Sequence, residues 1–468
     1  MESVDVAYLS IAEAGALFRS KRLSPVELTQ TYLARIERLD PLIQSFLLVT
    51  GDEAIAQAKV AEAELSKGID RGPLHGIPIG LKDLFATKGI RTTAQSRALI
   101  EWVPDEDAAV VSRLKEAGTV LLGKLALQEF AMPNISSDSP FPPARNPWNP
   151  DYRPGGSSSG SGAAVAGGLC MAALGSDTGA SIRSPASQCG IVGLKPTYGR
   201  VSCDGVIPLS WSLDHVGPLG RNVRDCALML QAMAGFDPHD YGSANQPVDD
   251  YLGMLDSGVR GLRVGVTRHW FNEGEGVDGE VMKAFEAAIQ TLKDSGIEIA
   301  DVQAPFDDAR RASGVIFGAD ALAYHKKTLE TAPELLGDNV LPRLRDAEGF
   351  NATDYIEAQR LKGSVVSQMR ELLTTVDGLV MPTVATPPAL FEGYDPQSRA
   401  SRPQFTSLFN VSGLPAISVP CGFTQDGLPI GLQIAGQLFN EAMVLRIAQA
   451  YEQATPWHTQ RPPLFDRD

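Results

Sequence analysis

Residues 154–162 read Pro-Gly-Gly-Ser-Ser-Ser-Gly-Ser-Gly, and residues 175–183 read Gly-Ser-Asp-Thr-Gly-Ala-Ser-Ile-Arg. Both segments place serine hydroxyls in glycine-rich backbone, where small residues let the chain approach another group closely. The apolar residues 163–174 that follow the first segment argue against a flexible Gly/Ser linker. A phosphate-binding loop is a further alternative, but the pattern Gly-x-x-x-x-Gly-Lys-Ser/Thr is absent.

The second segment suits acyl transfer, which needs a nucleophile and several backbone N–H groups directed at the developing oxyanion. Residues 178–181, Thr-Gly-Ala-Ser, offer a serine that follows small residues. An ordinary turn is the plain alternative for this stretch. A serine hydroxyl needs a base to take its proton, and a lysine can act as that base when burial keeps it neutral. Lys82, directly after the apolar segment Ile77–Leu81, is a candidate.

Alternating strand-type and helix-type segments predict an α/β fold, a single α/β/α sandwich around a large mixed β-sheet covered by helices. The turn Gln425-Asp426-Gly427 predicts a hairpin, so the sheet is expected to be mixed rather than parallel. Lys82 would follow a strand at its carboxyl end, where α/β sheets usually carry function. Strands are predicted at 77–81, 119–123, 261–267, 297–300, 377–381, 416–420 and 430–435, and helices after the capping box at Ser24 and over 52–66, 107–117, 279–294 and 440–453.

No Pro/Ser-rich linker or charge run divides the 468 residues, so we expect one domain over residues 1–468 with a helical segment at about 1–70. Three segments are weakly periodic and rich in turns. We expect them to form the walls of a substrate site, because loops on a rigid scaffold carry specificity. They are residues 125–150, 301–375 and 385–405.

The formal net charge of −15 argues against a nucleic-acid surface, which needs a basic patch, and against an anionic membrane. The five cysteines form no Cys-x-x-Cys pair, which predicts reduced thiols in a cytoplasmic protein. Met1–Asp5 is acidic and without an apolar core, so we expect no secretory signal. The six histidines show no metal-ligand spacing, and we expect no metal and no cofactor.

The chain resembles the amidase signature family through several motifs in the family's order. The resemblance is strongest over about 74–219 and weaker towards the C-terminus, through the Gly-Leu-Pro-Ala-Ile-Ser-Val-Pro at 413–420. The resemblance implies the same α/β/α fold. The matching motifs are Gly-Ile-Pro at 76–78 with Lys82-Asp83, Gly123-Lys124, Arg-Asn-Pro-Trp at 145–148, and Cys-Gly-Ile-Val-Gly-Leu-Lys-Pro-Thr at 189–197.

The resemblance also implies roles for three residues. Ser181 is the nucleophile, Ser157 is a bridging serine held on a cis peptide bond, and Lys82 is the base. Ser157 would relay the proton between the other two and then help to protonate the leaving amine. The oxyanion would be held by the backbone N–H groups of Thr178, Gly179, Ala180 and Ser181.

Other positions keep two interpretations. Asp177 and Arg183 either support the nucleophile loop or form a plain structural ion pair. Phe130 and Met132 lie in a stretch that lines the acyl pocket in some family members, but by default they are core residues. Ala180 stands where the family usually has glycine. If that position needs a positive φ, the alanine costs on the order of 1 kcal/mol; otherwise its methyl group narrows the carbonyl site, and we expect a shift in substrate range.

The function implied is that of a serine amidohydrolase that cleaves a small carboxylic amide through an acyl-enzyme. Carbamates and esters would be possible substrates because the same intermediate serves them. A homodimer is possible, since dimers are common among such enzymes. Two alternatives remain: the A subunit of glutamyl-tRNA amidotransferase, which supplies ammonia within a complex, and a non-catalytic scaffold member.

The tRNA-dependent enzyme holds free glutamine through an arginine and an acidic residue shortly before a Phe-Thr pair. The corresponding stretch here, Arg402–Asn410, contains no acidic residue, and no matching arginine can be placed. An ammonium group buried without a carboxylate is strongly disfavoured. The sequence therefore predicts a stand-alone hydrolase of neutral amides that ignores glutamine.

Overall fold

The computed structural model describes residues 6–465, apart from the side chains of residues 398 and 399. Met1–Asp5, where no secretory signal is expected, lie outside the described residues. The strands are β1 (Phe46–Val49), β2 (Pro78–Lys82), β3 (Val120–Leu125), β4 (Ala172–Ser176), β5 (Val192–Lys195), β6 (Val216–Gly220), β7 (Arg263–Val266), β8 (Glu298–Asp301), β9 (Gly378–Pro382), β10 (Ala416–Phe423) and β11 (Pro429–Ala435).

The α-helices are α1 (Ile11–Arg19), α2 (Pro25–Ile43), α3 (Gly51–Ser66), α4 (Ala109–Glu116), α5 (Ser159–Ala166), α6 (Arg183–Cys189), α7 (Val223–Met233), α8 (Gly279–Asp294), α9 (Phe306–Thr331), α10 (Val340–Ala347), α11 (Ala352–Leu372), α12 (Pro396–Ala400), α13 (Ser407–Val411) and α14 (Glu441–Gln453). Short 3-10 helices cover Val6–Tyr8, Arg97–Leu99, Glu129–Ala131, Arg268–Trp270, Pro333–Leu335 and Trp457–Thr459.

All these strands form one 11-stranded sheet in the order β1-β3-β2-β4-β6-β5-β10-β11-β9-β7-β8. β2 runs parallel to β3 and β4, and β7 runs parallel to β8 and β9. The remaining pairs are antiparallel, including the predicted hairpin of β10 and β11. The predicted fold, a mixed sheet between helical layers, is therefore confirmed. The single domain over 1–468 stays a prediction.

Three neighbouring strands towards one edge of the sheet, β3, β2 and β4, position the candidate catalytic residues. β2, β3 and β4 are buried along their whole length, as expected for strands covered on both faces. Leu81 of β2 pairs with Leu174 of β4 in parallel register. The carboxyl ends of these two strands therefore lie side by side, and Lys82 is the last residue of β2, as predicted.

Local sequence signals account for several helix boundaries. Ser24 caps α2 and forms the predicted capping box with Glu27, with proline at the first helical position. α8 has the predicted bounds, 279–294, and begins at the N-cap Asp278. Strong caps and an apolar stripe facing the core make such helices readable from sequence.

The expectation of turn-rich structure over 301–375 is wrong, because α9, α10 and α11 occupy most of that segment. The buried face of α9 includes small and polar residues, among them Ala309, Ala312, Asp320 and His325. Such a face gives little hydrophobic periodicity, although it is buried at helical spacing. Within residues 6–465, no helix is long and apolar enough to cross a membrane.

Candidate active site

Lys82 and two serine hydroxyls converge at the carboxyl ends of β2 and β4. Lys82 Nζ donates a hydrogen bond to Ser157 Oγ at 2.8 Å and another to Ser176 Oγ at 2.9 Å. The side chain of Lys82 is fully buried, and Ser157 is 1% exposed. The structure thus brings together two of the three predicted catalytic residues by direct contact.

The environment of Lys82 favours its neutral form. Burial lowers the pKa of Lys82 to about 7, although the nearby carboxylates of Asp214 and Asp177 raise it in part. The ammonium group of an exposed lysine has a pKa near 10.5. Lys82 can therefore exchange a proton near neutral pH, as a general base requires.

Ser157 lies next to the nucleophile loop. The peptide bond between Gly156 and Ser157 is cis, in agreement with the resemblance to the family. The backbone N–H of Ser158 donates to the carbonyl of Ser181 at 3.2 Å, and the N–H of Gln128 donates to the carbonyl of Ser157 at 3.0 Å. A Cβ on Gly156 would lie 2.6 Å from the end of the Gln128 side chain, so a larger residue there would require Gln128 to move. These contacts place Ser181 beside the Ser157 segment.

The loop of residues 178–181 presents free hydrogen-bond donors. Within residues 6–465, none of its four backbone N–H groups donates to another protein group. Gly179, Ala180 and Ser181 are partly exposed, whereas the residues on either side of them are buried. A Cβ on Gly179 would meet nothing within 4 Å. The loop therefore has the open space and the donors that an oxyanion site needs. Ala180 does not adopt a positive φ, so its methyl group adds no backbone strain.

Asp177 and Arg183 are fully buried and form an ion pair at 2.9 Å. Asp177 Oδ2 also accepts the N–H of Ile182 at 3.0 Å, which closes the loop on its C-terminal side. Burial alone would raise the pKa of Asp177, but the Arg183 guanidinium and the Asn410 amide hold it well below its usual range. The sequence left two interpretations open, a structural ion pair and a support for the nucleophile loop. Both describe this contact, because the ion pair also holds the loop.

The ion pair is fixed from the distant C-terminal part of the chain. Arg183 Nη2 donates to Asn410 Oδ1 and Nη1 donates to Gln433 Oε1, both at 2.7 Å. Asn410 Nδ2 donates to Asp177 Oδ1 at 2.8 Å. Through these bonds α13 and β11 support the loop that carries Ser181.

Sequence reasoning missed four residues of this site: Ser176, Asp214, Asn410 and Gln433. Ser176 lies within the 175–183 motif, and its position two residues before the 178–181 loop was the available signal. Asp214 accepts the Thr178 hydroxyl at 2.6 Å and the N–H groups of Leu209 and Ser210. Burial raises the pKa of Asp214 to about 6. No local pattern marks Asp214 or Gln433, whereas Asn410 lies three residues before Gly413, which opens the Gly-Leu-Pro motif at 413–420.

Phe130 and Met132 are buried in the hydrophobic core. The Phe130 ring meets His325 edge-on, with 4.3 Å between ring centroids, and Tyr324 at 6.4 Å. This packing supports their default interpretation as core residues, and a role in an acyl pocket stays a prediction. Among the described residues, no cluster of His, Cys, Asp or Glu is arranged to hold a metal ion.

Comparisons with known proteins agree with this geometry. The Amidase family profile matches residues 27–445. The A subunit of glutamyl-tRNA(Gln) amidotransferase from Geobacter metallireducens is 43% identical, over 97% of this chain and 98% of its own length. A solved chain from a complex linked to the evolutionary origins of an s-triazine catabolic enzyme is 32% identical, with a TM-score of 0.89 over 95% of this chain and 98% of that one. Peptide amidase from Stenotrophomonas maltophilia is 32% identical, with a TM-score of 0.85 over 99% of this chain and 100% of that one.

The titration of Lys82 predicts a pH dependence. A general base acts in its neutral form, so for Lys82 in that predicted role we expect kcat/KM on an amide to fall about tenfold per pH unit below about pH 7. Asp214→Asn removes a carboxylate that raises the pKa of Lys82, so the acid limb should move to lower pH. The measurement is kcat/KM from pH 5 to pH 9. Asp204→Asn, at an exposed position, is the control and should leave the limb in place. If Asp214→Asn leaves the acid side of the kcat/KM profile unchanged, the dependence of the Lys82 pKa on Asp214 is contradicted.

The buried ion pair predicts a large loss of stability on breaking it. Arg183→Met leaves the Asp177 carboxylate buried without its cation, which should cost about 3–5 kcal/mol in the free energy of unfolding. Arg310→Met breaks an exposed pair with Asp307 and should cost about 1 kcal/mol or less. Urea denaturation of both variants and the parent measures the difference. Equal losses in the free energy of unfolding would show that the buried pair stabilises the fold no more than the exposed pair does.

Because the native pKa of Asp177 is depressed, its contribution is present above the unfolded pKa near 4 and is lost as pH falls towards the lower native value. The difference in the free energy of unfolding between the parent and Arg183→Met should therefore become smaller as the pH falls below about 4.

Proposed function

This chain belongs to the amidase family and is an enzyme that acts on amide C–N bonds, and we propose that it does so through an acyl-enzyme on Ser181. The observation that carries the proposal is the 2.8 Å hydrogen bond between Lys82 and Ser157 in a fully buried setting. The backbone bond from Ser158 to Ser181 supports the next step of the relay. A non-catalytic scaffold is the weaker alternative, since Lys82 contacts Ser157 and the carbonyl of Ser181 accepts from the neighbouring Ser158.

In the proposed reaction, neutral Lys82 takes the proton of Ser157, and Ser157 takes the proton of Ser181. Ser181 Oγ then bonds to the amide carbon, and the carbonyl oxygen becomes an oxyanion. The free N–H groups of residues 178–181 hold that oxyanion. When the tetrahedral intermediate collapses, the C–N bond breaks and the amine leaves with the proton returned through Ser157.

Water completes the cycle by the same route in reverse. Its proton passes to Ser157 and Lys82 while its oxygen attacks the acyl carbon, and Ser181 regains its hydrogen as the carboxylic acid leaves. One amide and one water thus give one acid and one amine. Asp214 holds the Thr178 side chain and keeps the pKa of Lys82 near neutrality rather than lower.

A labelling experiment tests the nucleophile. A fluorophosphonate should modify Ser181, and peptide mapping should find the adduct on the peptide that contains it. Ser181→Ala should abolish labelling, and Ser157→Ala should slow it by several orders of magnitude because the relay is cut. Ser161→Ala is the matched control, since the Ser161 hydroxyl donates to the carbonyl of Leu174 outside the relay. An adduct on another serine or on a cysteine overturns the assignment.

The first candidate substrate is free glutamine, with the chain supplying ammonia within a complex. Its support is the relative from Geobacter metallireducens, an amidotransferase A subunit that matches nearly the whole chain at 43% identity. The comparisons thus favour the alternative over the stand-alone hydrolase expected from sequence. In this role the chain would bind further subunits, and the acyl product would be glutamate.

Glutamine carries an ammonium and a carboxylate beyond its reacting carboxamide, and both need partners. The stretch Arg402–Asn410 offers no carboxylate. Arg402 in this stretch donates to the carbonyl of Gly276 and lies 3.5 Å from Glu275. A carboxylate for the ammonium group would therefore come from another segment or from a partner protein.

The second candidate is a neutral amide hydrolysed by the chain alone. The missing carboxylate in residues 402–410 favours it, since a buried ammonium without a partner is strongly disfavoured. The similarity to a peptide amidase, a chain with a TM-score of 0.85, also supports it.

A matched pair of substrates separates the two candidates. L-Glutamine and butanamide share the reacting carboxamide, but butanamide lacks the two charged groups. For the first candidate we expect glutamine to be preferred by about 10⁴-fold in kcat/KM, because a site built for polar groups rejects an analogue without them. Ammonia release is measured both for the purified chain and for the chain together with the proteins that co-purify with it, with Ser181→Ala as the blank. Faster hydrolysis of butanamide in both preparations contradicts the first candidate and supports the second.

A further inference from the structure

A buried carboxylate on α9 holds the segment 209–214, which lies outside the helices and strands and runs beside the nucleophile loop. Asp320, on the buried face of α9, is 7% exposed. Its Oδ2 accepts the Ser210 hydroxyl at 2.6 Å and the Ser212 N–H at 3.2 Å. Because an irregular segment has no hydrogen-bond ladder of its own, these two bonds fix its course.

The segment passes this contact on to the nucleophile loop. Asp214 Oδ2 accepts the N–H groups of Leu209 at 2.9 Å and of Ser210 at 3.0 Å. Asp214 Oδ1 accepts the Thr178 hydroxyl at 2.6 Å. Ser210 therefore binds Asp320 through its side chain and Asp214 through its backbone. Two carboxylates in series thus connect α9 to the first residue of the loop 178–181.

The outer side of the Asp320 carboxylate is anchored by α11. Asp320 Oδ1 accepts the hydroxyl of the half-buried Tyr355 at 3.0 Å. Lys362, also on α11, donates to the carbonyl of Ser212 at 2.7 Å. Both oxygens of Asp320 are therefore engaged, and the carboxylate is the point at which α9 and α11 together meet the segment 209–214.

Several titratable groups face this chain of contacts. Asp177 is close to Lys82, Tyr198 and Cys203 are close to Asp214, and Tyr241, Tyr355 and Lys362 are close to Asp320. Burial lowers the pKa of Lys82, and the carboxylates of Asp214 and Asp177 raise it in part. An effect of Asp320 on Lys82 would therefore pass through Asp214.

We propose that Asp320 is a positioning residue for acyl transfer, which through Ser210 holds Asp214 against Thr178 and within electrostatic reach of Lys82. The inference rests on the proposed function and adds to it a residue on a distant helix. The role requires hydrogen-bond acceptors rather than a charge. Asp320→Asn keeps an acceptor for Ser210 and turns its amine towards the Tyr355 hydroxyl, which can accept.

The first test compares Asp320→Leu, which has a similar shape but no acceptor, with Asp320→Asn in the full chain. The substrate is glutamine or butanamide, whichever the parent hydrolyses faster. Asp320→Leu should lower kcat by about 10- to 100-fold with KM little changed, because the loop is misplaced for the transition state. Asp320→Asn should keep most of the parent's kcat. Asp307→Leu, at an exposed position of α9, is the control and should behave as the parent.

The pH profile separates positioning from a general loss of stability. With Asp214 held less closely, the pKa of Lys82 should fall, so the acid side of the kcat/KM profile should move to lower pH in Asp320→Leu. The double variant with Asp214→Asn should move it no further than Asp214→Asn alone, since both changes act through one carboxylate. Ser210→Ala removes one bond to Asp320 and should give a smaller shift in the same direction, which keeps the test if Asp320→Leu does not fold.

A profile of Asp320→Leu or Ser210→Ala that stays at the parent's position, or shifts that add in the double variant, overturns the proposal. Equal losses of kcat in Asp320→Leu and Asp320→Asn also overturn it. Crystal structures give a readout that does not depend on activity: the Thr178–Asp214 hydrogen bond should be lost in Asp320→Leu and kept in Asp320→Asn. An inactive parent contradicts the proposed function, whereas an unmoved segment 209–214 in Asp320→Leu contradicts the positioning role, so the two failures are distinguishable.

Discussion

The constraint on which the site depends is the burial of the Lys82 amine at the end of β2. A buried lysine is costly to charge, and its pKa falls to about 7. The hydroxyls of Ser157 and Ser176 accept hydrogen bonds from the amine but carry no charge that would stabilise its protonated form. The carboxylates of Asp214 and Asp177 raise the pKa of Lys82 from farther away. A direct carboxylate partner would have kept the lysine charged. Burial together with uncharged hydrogen-bond partners thus gives Lys82 the pKa that the proposed base role needs.

A second constraint is the use of backbone donors in the nucleophile loop. The loop closes because the N–H groups of Ile182 and Arg183 point to Asp177. The N–H groups of residues 178–181 then have no protein acceptor within residues 6–465 and stay available for a substrate oxyanion. This arrangement requires the Asp177–Arg183 pair to be buried, which carries a desolvation penalty. Hydrogen bonds from Arg183 to Asn410 and Gln433 offset part of that penalty.

The sequence predicts those site residues that lie within contiguous motifs, and it does not predict those that reach the site only through the folded structure. Lys82, Ser157 and Ser181 could be named because the residues beside them in sequence form recognisable motifs. Asp214 and Gln433 reach the site only through tertiary contacts, so no nearby pattern marks them. The mixed sheet was readable from strand and hairpin signals. α9 was not, since the buried face of this helix carries Asp320 and His325 among small residues.

The proposed catalytic geometry cannot choose between amides, because in that mechanism Lys82, Ser157 and the loop act on the C–N bond that all amides share. The choice rests on groups that meet the rest of the substrate. The stretch Arg402–Asn410, which corresponds to a glutamine-binding segment in the proposed role, carries no negative charge, and its one arginine already contacts Gly276 and Glu275. A charged amino acid would therefore need a counter-charge from elsewhere. The relative from Geobacter metallireducens is a subunit of an amidotransferase. If the proposed glutamine role holds for this chain, a partner protein would be one source of that counter-charge, and substrate choice would then depend on assembly.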